Sequence, residues 1–116
     1  YIASNLAGEH FKRFPDAIIP YTERWMSSED MWLQRIALLF QLKYKKSTDL
    51  ALLTNYIERL SGSKEFFINK AIGWILREYS KTDAGWVADY VENHPSQLAP
   101  LSKREALKWL ERQKTI

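Results

Sequence analysis

Displaced by 34 residues, the chain matches itself. Ala37 falls on Ala71, Leu42 on Leu76 and Lys43 on Arg77, and Thr48-Asp49 falls on Thr82-Asp83. Further on, Leu53 meets Val87, Tyr56 meets Tyr90, Ile57 meets Val91 and Glu58 meets Glu92. Apolar positions and helix-start signals stay in step across two helices and a turn. A single helix pair cannot bury its own apolar face, so repeated pairs stack and complete one core between them.

The apolar residues recur at three and four positions throughout, the period of helices, and strand signals are nearly missing. Helices are expected over 1–13, 16–25, 29–44, 49–60, 64–79, 83–93 and 103–113. Pro15 breaks the first and opens the second, since proline suits a first turn but not an interior. Ser27 with Asp30, and Ser102 with Glu105, have capping-box spacing. Thr48-Asp49 and Thr82-Asp83 have the residue types of N-caps. The fold expected is all-α: an α-solenoid of HEAT-like antiparallel helix pairs, an armadillo-like superhelix. The period also suits tetratricopeptide repeats, but their Trp-Leu-Gly-Tyr signature is not visible.

With 116 residues, 46% of them hydrophobic and 27% charged, the chain is sized for one domain with a real core. Residues 1–116 are taken as a single helical-repeat domain, and because Tyr1 is not an initiator Met and no signal-peptide pattern follows it, the chain is expected to be a piece of something longer. Cysteine is absent and the two histidines, His10 and His94, are far apart. Disulfides, a thiolate site and a histidine metal cluster are therefore excluded or disfavoured, no metal or cofactor is expected, and a cytoplasmic location fits. No apolar run is long enough to span a membrane. The net charge of +3 is mild. It comes from the end of the chain, where Lys103, Arg104, Lys108, Arg112 and Lys114 outnumber Glu105 and Glu111.

Candidate binding residues gather on two helices. Lys70, Trp74, Arg77 and Lys81 share one helical stripe, opposite a face of Phe67, Ile68, Ala71, Ile72, Ile75 and Leu76. Cations flanking a large aromatic suit a phosphodiester backbone: the charges offset phosphate and the indole packs on sugar or base. Gly73 admits a close approach beside the indole, by backbone or by ligand. The alternative is that Trp74 is core. Arg35 lies among apolar residues near a helix start, where a cation is disfavoured by the dipole and costly to bury alone. Either a carboxylate from a neighbouring helix meets it, or its planar fork is aimed at a phosphate. Trp25 and Trp32 are assigned to the core or a helix junction. No phosphate loop, metal cluster or nucleophile elbow occurs.

Several segments resemble one family in order along the chain. They are Trp32-Leu33-Gln34-Arg35, Phe40-Gln41-Leu42-Lys43-Tyr44, the long block Glu65 to Tyr79, and Leu101-Ser102-Lys103-Arg104-Glu105-Ala106. The chain resembles the DNA alkylation repair family, the AlkD-like HEAT-repeat alkylpurine DNA glycosylases. The resemblance implies hydrolysis of the N-glycosidic bond of cationic N7- or N3-alkylated purines in duplex DNA, bound on a concave face by a monomer. It implies Trp74 as one wall of the lesion site, Arg35 and Arg77 as DNA-backbone contacts, and Lys70 as a weaker one. The family's catalytic Asp and a second site Trp precede the stretch that Tyr1 to Asn5 resembles. No catalytic residue is therefore assigned in this chain, which by the resemblance is the C-terminal part of a longer HEAT-repeat domain and is expected to be incomplete alone. The competing expectation is a non-catalytic HEAT-repeat scaffold that binds DNA or protein.

Overall fold

A computed structural model describes the backbone of residues 2–94 and 98–114, and the side chains of 5–94 and 98–109. Among these residues all regular structure is helical: α1 (Ile2–Arg13), α2 (Ile18–Ser27), α3 (Met31–Leu39), α4 (Leu50–Leu60), α5 (Phe66–Ser80), α6 (Ala84–Asn93) and α7 (Pro100–Lys114). Single 3-10 turns stand at Pro15–Ala17 and Lys45–Ser47. Tyr1, Pro95 and the side chains of Arg112 and Lys114 lie outside the described residues.

The odd-numbered helices form one row, α1 against α3, α3 against α5 and α5 against α7, with α5–α7 the most extensive contact. Helix α2 packs on α3, α4 on α3, and α6 on both α5 and α7. Helices α2 and α4 are joined by polar bridges. Thr22 on α2 donates to the Ile18 carbonyl, so the buried Tyr56 hydroxyl on α4 donates to Thr22 Oγ1, 2.6 Å away. Arg59 on α4 reaches back to Glu23 on α2 at 2.9 Å. The resulting stack measures 40 × 29 × 23 Å.

The repeat register is visible in the core. Leu53 and Val87, Tyr56 and Tyr90, and Ile57 and Val91 are all buried at matching places on α4 and α6. Asp49 and Asp83 are the matching N-caps, each accepting through its carboxylate from the backbone N–H three residues on. The odd helices keep a different offset: α5 starts 35 residues after α3, whereas α6 starts 34 after α4. In the longer offset the turns match too. Ser28 accepts from the Asp30 N–H while Gln34 donates to the Ser28 carbonyl. Ser63 accepts from the Glu65 N–H while Asn69 donates to the Ser63 carbonyl.

Four element boundaries differ from the sequence expectation. Ser27 does not cap α3; Asp30 does, accepting from the Trp32 N–H at 2.9 Å, and Ser27 ends α2. Residues 15–17 form a 3-10 turn, so α2 begins at Ile18. Helix α3 stops at Leu39 rather than at Tyr44. The buried Gln41 side chain there captures both backbone groups of Asp49, and Lys45 takes a left-handed φ of 53°. Helix α7 begins at Pro100, which places Ser102 inside it. Its hydroxyl is buried and donates to the Asn69 carbonyl of α5 at 2.8 Å instead of capping.

Candidate nucleic-acid interface

Gly73 sits where α7 crosses α5. A Cβ there would lie 2.5 Å from Glu105 Cβ and 3.0 Å from the Ser102 carbonyl oxygen. The close approach that the glycine permits is therefore made by the α7 backbone, not by a ligand. One turn to either side, Lys70 and Arg77 flank that crossing, and the positive charges of both act on Glu105. The Glu105 carboxyl is held below its usual range, first by its hydrogen bond with Lys108, at 2.8 Å, against the opposing effect of burial, and further by the charges of Lys108, Lys70 and Arg77.

The expected four-residue stripe divides. Lys70 is exposed, its ammonium 5.6 Å from the Phe66 ring centre. Arg77 is half-buried and hides a Nε–H with no acceptor among the described residues. Trp74 is half-buried and packs against the core cluster, so it serves the interior as well as an edge. Lys81 is tied to Glu78 on its own helix at 2.9 Å.

The ion-pair alternative for Arg35 is not realised. No carboxylate lies within ion-pair distance of it among the described residues. Its guanidinium sits 5.3 Å from the Trp32 ring centre and 5.8 Å from that of Phe67, and its buried Nε–H has no acceptor. Burial without a counter-ion lowers its pKa from the usual guanidinium value.

Two residues expected inside stand outside. Trp32 is 52% exposed and Phe67 43%, their ring centres 5.3 Å apart, with Phe66 beside them at 53%. Trp32 lies on the first turn of α3, and Phe66 and Phe67 on the first turn of α5, where the next helix pair does not cover them. The offset of 35 carries the missed signal, since it sets Trp32 on Phe67 and Arg35 on Lys70.

The two histidines lie in separate ring contacts. His94 stacks on Tyr90 and shares a hydrogen bond with the Tyr90 carbonyl, while His10 lies by Phe11 and Phe14. Among the described residues no three His, Cys, Asp or Glu side chains gather as metal ligands, and no helix is long and apolar enough to cross a membrane.

The assembly is thus a helical stack with cations and exposed aromatics at the starts of α3 and α5. Residues 1–110 match the family described as DNA alkylation repair enzyme. The chain belongs to that family. A solved structure described as a predicted DNA alkylation repair enzyme from Enterococcus faecalis is 34% identical, with a TM-score of 0.83 over 92% of this chain and 49% of that one. The chain therefore spans about half the length of that relative. No curated protein sequence matches it.

Proposed function

We propose that this chain forms part of an alkylpurine DNA glycosylase and supplies its duplex-binding and lesion-flanking surface. The reaction is hydrolysis of the C1′–N bond of an N7- or N3-alkylated purine. The bond breaks with its electron pair going to the base, whose positive charge makes it a good leaving group, and water forms the new C1′–O bond and releases a proton to solvent. A carboxylate beside the sugar stabilises the cation that develops there. No residue of this chain is assigned that role, for which the family resemblance implies an Asp.

Arg35 is the observation that carries the proposal. A guanidinium with no carboxylate partner among the described residues, set at the surface of a DNA-repair protein, has the geometry to grip phosphate oxygens. Lys70 and Arg77 are proposed as further backbone contacts and Trp74 as one wall at the lesion. The ordered contacts of alternate helices support a HEAT-like solenoid. Exposed Leu6 and Tyr21 border an apolar hollow of about 400 Å³ on the α1–α2 side, a surface suited to a further helix pair. The complete protein is read as a cytoplasmic monomer that needs no cofactor.

The test is release of 7-methylguanine from methylated duplex DNA by the 116-residue chain and by the full-length protein. Release by the full-length protein alone is expected. Full activity of the 116-residue chain would refute the upstream Asp. Release by neither, with duplex binding kept, would establish a non-catalytic DNA-binding scaffold instead.

A further inference from the structure

Trp32 and Phe67 come from different helices, and their rings meet 5.3 Å apart while both remain largely in solvent. Two large aromatics left this exposed gain little from their own burial. What they share is the Arg35 guanidinium, which lies against both rings. The rings remove water from the cation without neutralising it, because an aromatic face attracts a cation but carries no net charge. The buried Nε–H of Arg35, without an acceptor among the described residues, marks how far that dehydration goes.

A side chain held in this way has already lost the rotamer freedom that an arginine on an open surface surrenders on binding. Its remaining N–H groups form a planar edge that matches two phosphate oxygens. The arrangement also recurs in weaker form. Phe67 and Lys70 repeat the spacing of Trp32 and Arg35, and Lys70 lies over the Phe66 ring.

We infer that Trp32 and Phe67 are positioning residues that hold the Arg35 guanidinium dehydrated and oriented for a DNA phosphate. This rests on the reading of Arg35 as a backbone contact proposed above. The rings act through Arg35 and do not themselves stack on a base.

The test is a double-mutant cycle in the full-length protein. Affinity for an undamaged duplex oligonucleotide is measured by fluorescence anisotropy across a series of salt concentrations. Arg35→Ala should flatten the dependence of log affinity on log salt by about 0.9, the share of one phosphate contact. Trp32→Ala and Phe67→Ala keep every charge, yet each should weaken binding roughly tenfold, the scale of a hydrogen bond to a charged group, and flatten the same slope. Trp32→Phe should restore most of the loss. The doubles Trp32→Ala/Arg35→Ala and Phe67→Ala/Arg35→Ala should bind no more weakly than Arg35→Ala alone. Additive losses would overturn the inference, because the rings would then touch DNA on their own account. An unchanged salt slope in both aromatic variants would overturn it as well. A silent Arg35→Ala would instead remove the phosphate contact itself, and the inference with it.

Discussion

The Ser102 hydroxyl of α7 donates to the Asn69 carbonyl of α5 across 2.8 Å, inside a seam that both residues help to bury. The bond lies one helical turn from Gly73, where the two backbones come closest. Together they fix how α7 sits on α5, and so where Glu105 lies between Lys70 and Arg77.

Gly73→Ala tests that seam. Alanine favours a helix over glycine by about 1 kcal/mol. Here its methyl meets Glu105 Cβ and the Ser102 carbonyl, which cannot both move aside without shifting α7. Overpacking of this kind costs about 1–3 kcal/mol, so the variant should be less stable in urea unfolding. Gly62→Ala is the control: nothing lies within 4 Å of its Cβ, and it should be neutral or slightly stabilising. A Gly73→Ala protein as stable as the parent would mean that α7 is not seated there.

Asp49→Ala and Asp83→Ala should each cost about 1 kcal/mol, the usual loss for an N-cap. Both carboxylates are exposed and accept from the same relative N–H, at 3.1 and 3.0 Å. The two losses should therefore be similar and should add. Chemical denaturation of the singles and the double measures this, and unequal effects would argue that the two repeats do not share one cap geometry.

Stability should fall above pH 10. Tyr90, stacked between Trp86 and His94, has its pKa pushed up to about 12, by burial first and by the Glu58 charge second. An unfolded tyrosine ionises near pH ~10, so below that both states are protonated and the full stability is present. Between about pH 10 and 12 the unfolded state loses protons first, and stability declines by up to about 1.4 kcal/mol per pH unit from this residue. Tyr44, Tyr56 and Tyr79 shift in the same direction and steepen the loss. Denaturant unfolding of Tyr90→Phe over this range should show a shallower decline; an identical slope would exclude Tyr90 as the main contributor.

Glu105→Gln should tighten binding of duplex DNA. The charges of Lys70 and Arg77 act on this carboxylate, so if both cations contact phosphate as proposed, its removal should free them for DNA. The gain expected is about 1.5- to 5-fold at low salt, the scale of a partly exposed ion pair, and it should vanish at high salt. Weaker binding would mean that Glu105 orients these cations rather than holding them back.

The repeat, the helix count and the caps Asp49 and Asp83 were legible in the chain, because helical periodicity and capping chemistry are local. Arg35, Lys70 and Arg77 could be picked out for the same reason: each is a cation set in an apolar helix. The partners of these cations could not be read. Ser102 has the spacing of a cap, yet Pro100 starts the helix two residues earlier and the hydroxyl turns to another helix. Trp32 and Phe67 carry an apolar pattern that belongs in a core, yet they stand in solvent against Arg35. The sequence alone determined that helix pairs must stack, since none can bury its own face. Only the tertiary structure decided which side chains that stacking leaves uncovered, because exposure at a helix start depends on where the neighbouring helix begins, and a one-residue change of offset moves it.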